Sequence, residues 1–338
     1  MRSPKTVFAV LFTLALAGQT AFADEAHTLS VRLDWLTTGY QAPFFLAAEK
    51  GWFKKAGLDV TIQQGTGSVT TVQLVGAGQF DVGFAALSTM AFARSKGFSV
   101  VSIAGLFRKG DLALLVPVDS PIKTPADTKG KKFVTTPGSL EAPFLDSFFS
   151  KGGLRRDQVE LLNVDASAKI STYLTGTNDG VFSSTVYTLA LVKEKRPSRA
   201  VLFADFDLNL PGFGLVVTES NLKQKGEALK AFASALAGAW AYVLAGHEEE
   251  AVQATMKARE QERLNPEYLR GQLRDSLPFL YTAATEKQPI GVQSEADWAS
   301  AISLLEAAKV IPPGSAAKSY FTNDYLDVNL VSSFAAGG

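Results

Sequence analysis

Hydrophobic and polar residues alternate along three short segments near the start of the chain, residues 31–35, 58–62 and 80–85. Such alternation is typical of β-strands with one buried face. Residues 42–50 and 68–76 lie between these segments and have helical character. Strands separated by helices predict a parallel sheet in an α/β fold.

The carboxyl ends of these strands are the expected place for a ligand, because helix N-termini there offer free N–H groups. The three ends carry Trp35, residues 65–68 and residues 86–89. Ser68 and Ser88 lie at helix starts. Their hydroxyl groups either cap the helix or leave the N–H groups to an anionic or carbonyl oxygen of a ligand.

A second series of strands and helices runs from residue 132 to residue 203. It follows a strand at 112–118 and a segment rich in proline and turn residues at 119–127. We interpret 119–127 as the first crossing between two lobes. The return crossing is expected at 206–212, before a strand at 213–218 rejoins the first sheet.

Helical spacing dominates the chain from residue 222 onward, beginning with an amphipathic helix predicted at 227–244. Further helices are predicted at 248–259, 266–275 and 294–309, with a terminal turn after them. We expect these helices to pack on the first lobe. The predicted fold is therefore two α/β lobes with two crossings and a cleft, lobe 1 being 24–117 plus 213–338 and lobe 2 being 118–212.

The first 23 residues have the pattern of a secretory signal peptide. Arg2 and Lys5 precede an apolar run at 7–17, and residues 21–23 form an Ala-Phe-Ala cleavage site before Asp24. The apolar run is too short to span a bilayer. We therefore expect an exported, periplasmic protein whose mature form begins at Asp24.

The composition excludes several classes of function. The chain has 338 residues, no cysteine, two histidines and a formal net charge of zero. Nucleic acid is not expected as a partner, since it requires a basic face. The lack of cysteine removes disulfides, thiol nucleophiles and thiolate metal sites, and His27 and His247 lack the spacing of a zinc site. We expect no catalytic residue, no metal and no cofactor.

Four motifs carry a resemblance to a known family. They are LDW at residues 33–35, QAPFF at 41–45, KGWFKKAGLDV at 50–60 and GAGQFDVG at 76–83. On these motifs the chain resembles the thiamine-pyrimidine-precursor-binding-like family, whose members are mostly periplasmic solute-binding proteins of ABC importers. The resemblance implies a two-lobed, type II-like periplasmic binding protein, expected to be monomeric, with an ABC permease as its partner.

Trp35 is the first candidate ligand contact, because its flat face suits stacking on an aromatic or heterocyclic ring. Pyrimidine binders of the resembled family also use this place. Gln41 can donate to and accept from an amide-like ring edge, and Arg108 can pair with an anion. The predicted ligand-binding residues are Trp35, Tyr40, Gln41, Phe44, Gly67, Ser68, Leu87, Ser88, Thr89, Phe107, Arg108, Gly138, Ser139, Glu141, Phe182, Ser183 and Phe213.

The preferred function is capture of a small aromatic, heterocyclic or pyrimidine-like compound for an ABC importer, without a covalent step. Alkanesulfonates or taurine are the alternative ligands, since hydroxyl groups at helix starts suit a sulfonate. The resembled family also has a pyrimidine-synthase branch, with a histidine where this chain has Gln41 and a cysteine-rich iron site; both differences argue against that activity. A sensory or scaffold role with the same fold stays open.

Overall fold

The computed structural model describes residues 27–208 and 210–338. The predicted signal peptide and its cleavage site before Asp24 lie outside the described residues. Over the described ranges, no helix is long and apolar enough to cross a membrane.

Ten strands and twelve α-helices are assigned in this part of the chain. The strands are β1 (His27–Arg32), β2 (Leu58–Gln63), β3 (Val82–Ala86), β4 (Val100–Gly105), β5 (Leu112–Pro117), β6 (Lys132–Thr135), β7 (Glu160–Asn163), β8 (Gly180–Ser184), β9 (Ser198–Leu202) and β10 (Phe213–Thr218). The helices are α1 (Ala42–Glu49), α2 (Trp52–Lys55), α3 (Ser68–Gly76), α4 (Leu87–Ser95), α5 (Leu145–Lys151), α6 (Lys169–Leu174), α7 (Thr185–Val192), α8 (Glu219–Leu244), α9 (Glu248–Ala258), α10 (Pro266–Ser276), α11 (Glu295–Ala307) and α12 (Val328–Ala335).

The first sheet has the strand order β2–β1–β3–β10–β4. β1 pairs in parallel with β2 and β3, which confirms the parallel arrangement predicted at the start of the chain. The first strand lies earlier than the predicted residues 31–35, because β1 ends at Arg32 and residues 34–37 form a bend. Leu29 and Val31 of β1 are fully buried, as expected for every second residue of a strand with one buried face. β10 is antiparallel to β3 and β4, so the sheet is mixed.

The second sheet has the order β7–β6–β8–β5–β9. β5 pairs antiparallel with β8 and β9 there, so its assignment to the first lobe and the crossing at 119–127 were wrong predictions. Residues 112–116 are all buried, and a strand that is apolar on both faces carries no sign of which sheet it joins. Residues 119–127 instead form turns in the second lobe, where Asp127 accepts hydrogen bonds from the backbone N–H groups of Lys123 and Thr124.

The chain therefore crosses first at residues 106–111, between β4 and β5, and returns between β9 and β10. Two glycines let these crossings lie against each other. A Cβ atom at Gly110 would be 2.2 Å from the Leu210 carbonyl oxygen, and one at Gly212 would be 2.3 Å from that of Lys109. Larger residues at either glycine would push the crossings apart.

The C-terminal helices largely follow the prediction. α8 has a kink at Lys225, and the part after the kink is the helix predicted at 227–244, whereas the predicted terminal turn is the helix α12. α12 packs on α8 so closely that a Cβ atom at Gly238 would lie 2.5 Å from that of Phe334. α11 contributes Trp298 to a core cluster with residues from both sheets, so these helices contact more than the first lobe.

Candidate functional site

A small cavity of about 10 Å³, roughly the space of one water molecule, lies between the two lobes. The first lobe reaches it through the segment after β1, the 3₁₀ helix Gly39–Gln41 and the start of α3. The second lobe reaches it through the loop after β6, the start of α6 and the β8–α7 junction. The lining residues are Asp34, Trp35, Tyr40, Ser68, Ser139, Leu140, Lys169, Ser183, Ser184 and Tyr187.

Two aromatic rings from opposite lobes form one wall of this cavity. The rings of Trp35 and Tyr187 are 5.8 Å apart and meet edge to face at 70°. Trp35 Nε1 is buried and has no hydrogen-bond partner among the described residues. Since a buried N–H group without a partner is costly, a ligand that accepts from Trp35 Nε1 would relieve that cost.

Asp34 is the buried carboxylate on the first-lobe side. Its Oδ2 accepts from the Tyr40 hydroxyl and its Oδ1 from Gln41 Nε2, both at 2.8 Å. Gln41 is itself fixed, because its Oε1 accepts from the backbone N–H of Thr38 at 3.1 Å. Burial raises the pKa of Asp34 to about 7, although both hydrogen bonds act in the opposite direction.

A buried ion pair lies on the second-lobe side. Lys169 Nζ donates to Glu141 Oε1 at 2.7 Å, and both side chains are 1% exposed or less. Thr135 Oγ1 donates to the same oxygen at 3.0 Å, whereas Glu141 Oε2 is buried without a partner in the described chain. Lys169 Nζ also lies 5.2 Å from the centroid of the Trp35 ring, so the pair contacts the first lobe across the cleft.

The lobes touch directly beside the cavity. The backbone N–H of Val69 donates to the Gly138 carbonyl oxygen at 3.0 Å. Gly67, with φ of +150°, makes this approach possible, because a Cβ atom there would lie 2.2 Å from that same oxygen. The predicted residues Gly67 and Gly138 therefore form the interlobe contact rather than the cavity wall.

Five of the predicted ligand-binding residues line the cavity together: Trp35, Tyr40, Ser68, Ser139 and Ser183. Ser68 Oγ accepts from the backbone N–H of Ala86 at 3.1 Å, and Ser139 Oγ donates to the Thr136 carbonyl oxygen at 2.7 Å. Gln41 and Glu141 lie behind the wall and hold Asp34 and Lys169 in place.

Three of the predicted aromatic residues lie in the first lobe's core, beneath Tyr40. The rings of Phe107 and Phe213 each lie 5.9 Å from that of Tyr40, and Phe44 packs on Phe84 at 5.2 Å. Phe182 lies in the core of the second lobe, 5.4 Å from Phe133. All of these side chains are at most 2% exposed.

The remaining predicted residues lie away from the cavity. Arg108 donates to the carbonyl oxygens of Gly105, Thr285 and Pro289, and burial lowers its pKa to about 10. Its guanidinium thus fixes the C-terminal segment, and it lines a separate cavity of about 200 Å³ together with Leu87 and Phe107. Ser88 and Thr89 are buried in the first turn of α4.

Sequence reasoning missed Asp34, Leu140, Lys169 and Tyr187 as wall residues. Asp34 directly precedes Trp35 within a quoted motif, so its position at the end of a strand was a usable signal. Lys169 and Tyr187 come from the second lobe, and their local sequence has no feature that distinguishes them from solvated or core residues.

Comparison with known proteins identifies the family. The model described as "NMT1/THI5 like" matches residues 38–251. The chain belongs to the NMT1/THI5-like family. This confirms the resemblance found in the four sequence motifs.

Relatives of this NMT1/THI5-like chain differ in how much of it they match. A formylaminopyrimidine-binding protein of Halalkalibacterium halodurans is 26% identical over 313 residues, which cover 89% of this chain and 92% of the relative. A 4-amino-5-hydroxymethyl-2-methylpyrimidine phosphate synthase of Saccharomyces cerevisiae is 37% identical over 101 residues, 30% of each chain. One relative matched over most of its length is thus a binding protein, and a putative thiamine biosynthesis protein of Haemophilus influenzae is matched over an equal share, 92% of its length.

A solved structure confirms the fold class. The alkanesulfonate-binding protein SsuA of Xanthomonas axonopodis pv. citri, bound to MOPS, matches with a TM-score of 0.64 at 16% identity. The match covers 88% of this chain and 99% of that one. The chain has the two-lobed α/β fold of periplasmic binding proteins.

Proposed function

We propose that this chain is the solute-binding protein of an ABC importer and that it captures a small pyrimidine-like heterocycle between its lobes. The observation that carries the proposal is the interlobe cavity, which joins the Trp35 and Tyr187 rings to the buried carboxyl group of Asp34. The cavity of about 10 Å³ is far smaller than the roughly 300–1,000 Å³ typical of sites for drug-sized ligands, so the side chains of its wall must rearrange to admit a ligand. The two rings favour a flat, ring-containing compound.

The charges around the cavity favour a heterocycle that donates hydrogen bonds over a sulfonate. Lys169 is the one cation among the described lining residues, and Glu141 neutralises it at 2.7 Å. Asp34 adds a carboxyl group on the opposite side. An anion placed here would face two carboxyl groups and a cation that is already paired. An exocyclic amino group, in contrast, can donate to Asp34.

Binding without turnover is part of the proposal. The chain has no cysteine, and Gln41 is occupied in holding Asp34 and the Thr38 backbone. One relative matched over most of its length is named as a binding protein, whereas the synthase match covers only 30% of this chain. Lobe closure around the ligand, followed by docking of the closed form on the permease, is then the mechanism.

The proposed location follows from the same role. A binding protein of an importer works outside the cytoplasmic membrane, and residues 1–23 have the pattern of an export signal. N-terminal sequencing of protein from the periplasm is expected to begin at Asp24. Periplasmic protein that retains Met1 would contradict export by cleavage.

Titration calorimetry with two probes tests the function. Formylaminopyrimidine is expected to bind and MOPS is not, at equal pH and ionic strength. Mass spectrometry of the recovered pyrimidine is expected to show an unchanged mass. Tighter binding of MOPS would favour the sulfonate role, and a chemically altered pyrimidine would favour an enzyme.

A further inference from the structure

The helix α10 contacts both lobes, and its contact with the first lobe is a close one. A Cβ atom at Gly39 would lie 1.8 Å from the Leu269 carbonyl oxygen, so the 3₁₀ helix Gly39–Gln41 packs directly on the α10 backbone. Arg270 of α10 also donates to Glu249 of α9 at 2.6 Å. α10 therefore packs on the first lobe at the 3₁₀ helix that carries Tyr40.

Gln272 of α10 joins the two lobes with one amide group. Its Oε1 accepts from the backbone N–H of Gly39 at 2.9 Å, and its Nε2 donates to the carbonyl oxygen of Tyr187 at 3.0 Å. The side chain is 2% exposed. Gln272 thus connects the two sides of the cavity wall. Gly39 directly precedes Tyr40 of the first-lobe wall, and Tyr187 is the ring of the second-lobe wall. Separating the lobes would break the bond to Tyr187.

Gly271 lets α10 approach α7 closely enough for the hydrogen bond from Gln272 to the Tyr187 carbonyl oxygen. A Cβ atom at Gly271 would lie 2.9 Å from the Cβ atom of Ala190 in α7. Neither atom belongs to a flexible side chain that could move aside, so α10 and α7 reach their present distance only with glycine at this position.

We propose that Gly271 and Gln272 form an interlobe latch, a pair of positioning residues that sets the free energy of lobe closure. Neither residue lines the cavity, so the latch controls affinity without touching the ligand. The inference rests on the proposed function in one respect, that ligand binding is coupled to closure. Because the closure step is shared by all ligands, weakening the latch lowers affinity by the same factor for each ligand that binds.

Gly271→Ala separates this role from a simple structural one. In the open form, alanine in the middle of α10 is a better helix former than glycine, so the ligand-free melting temperature is expected to stay the same or rise. In the closed form the added methyl group overpacks against Ala190, and affinity for formylaminopyrimidine is expected to fall about 5- to 150-fold. A residue needed only for folding would lower both quantities.

Ala190→Gly provides the matched rescue. Combined with Gly271→Ala, it removes the methyl group that causes the overlap, so affinity is expected to return to within about threefold of the wild type. Ala190→Gly alone is expected to lower the melting temperature, because glycine weakens α7, and to leave affinity nearly unchanged. Failure of the double variant to recover affinity would overturn the latch.

The amide is tested by Gln272→Met, which keeps the length of the side chain and removes both hydrogen bonds. It leaves the Gly39 N–H without its partner in both forms, but only in the closed form does it also leave the Tyr187 carbonyl oxygen buried and unpaired, and affinity is expected to fall about 5- to 150-fold. Gln253→Met is the control, because Gln253 is exposed and bonds only to Glu249 within the described structure. Equal affinities in the two variants would overturn the role of Gln272.

Measuring the distance between the lobes tests the latch even if the proposed ligand does not bind. The chain has no cysteine, so spin labels can be placed on Lys54→Cys in the first lobe and Ser171→Cys in the second, both exposed. Without ligand, the wild type is expected to include the short distance of the closed form, and Gly271→Ala is expected to lose it. A distance distribution unchanged by Gly271→Ala would overturn the latch, whereas failure of formylaminopyrimidine to bind the wild type would overturn only the proposed ligand.

Discussion

The Tyr40 hydroxyl donates a 2.8 Å hydrogen bond to Asp34 Oδ2 at a point where both side chains are almost completely buried. Hydrogen bonds to a carboxylate normally lower its pKa, but removal from water outweighs them here. The pKa of Asp34 is raised to about 7. The cavity therefore contains a carboxyl group that changes its charge near neutral pH.

The first prediction concerns the stability of the ligand-free protein. The folded protein keeps the Asp34 proton up to about pH 7, whereas the unfolded chain loses it near the ordinary value of 3.8. Between these values the folded state holds more protons, so this group makes stability fall as pH rises, by on the order of 4 kcal/mol in total. Urea unfolding at pH 5 and pH 8 is expected to show about 3 kcal/mol of this decrease in the wild type and a smaller decrease in Asp34→Asn. The same pH slope in both proteins would contradict the buried titration.

The second prediction concerns ligand affinity. A heterocycle that donates to Asp34 stabilises the ionised carboxylate, so the pKa falls on binding and affinity must weaken as pH drops below about 7. The loss approaches about tenfold per pH unit once Asp34 is protonated in the free protein. Calorimetry with formylaminopyrimidine from pH 5 to pH 8 measures it, and Asp34→Asn is expected to flatten the profile. Tighter binding at pH 5 would instead mean that protonated Asp34 donates to the ligand.

The third prediction compares a tryptophan of the cavity wall with a tryptophan of the core. Trp35→Ala removes a ring that lines the cavity and is expected to lower affinity about 5- to 150-fold, equivalent to a stacking contact of about 1–3 kcal/mol. Trp52→Ala, at a residue packed between Tyr242 and Phe334, is expected to cost about 3–5 kcal/mol of stability and to leave affinity unchanged. Melting curves without ligand and calorimetry measure the two effects. A large stability loss with wild-type affinity for Trp35→Ala would place that ring in the core.

The sequence predicts the fold well where a local pattern is compatible with only one structure. Alternation identifies β1, β2 and β3, and the parallel pairing follows from the helices between them. β5 shows the limit, because a fully buried apolar strand packs equally well in either sheet. The proline-rich segment at 119–127 then became the wrong crossing, since turn residues mark any turn and not only a hinge.

The site was predictable only in part, for a similar reason. Trp35 and Tyr40 stand out because they lie in the segment between β1 and α1, but Phe44, Phe107 and Phe213 have the same aromatic character and form the core beneath Tyr40. Tyr187 and Lys169 enter the cavity from the other lobe. Their roles depend on how the lobes close, and no local spacing encodes that.

The last prediction concerns the buried pair of Lys169 and Glu141. Both side chains are almost inaccessible, so Lys169→Met leaves a buried carboxylate without its cation and is expected to cost about 3–5 kcal/mol of stability. Glu141→Gln added to Lys169→Met removes that charge, and most of the stability is expected to return, because an uncharged replacement of a buried pair is often neutral. Urea unfolding of the two variants measures this recovery.

Affinity in the double variant then tests whether Glu141 also serves the ligand. Glu141 Oε2 has no partner within the described residues, and if a ligand amino group donates to it, affinity stays reduced although stability recovers. Lys225→Met is the control, because its ion pair with Asp81 at 2.6 Å is partly exposed, and such pairs contribute about 0–1 kcal/mol. Equal stability losses for Lys169→Met and Lys225→Met would contradict the buried pair, whereas recovered stability with wild-type affinity would limit Lys169 and Glu141 to a structural role.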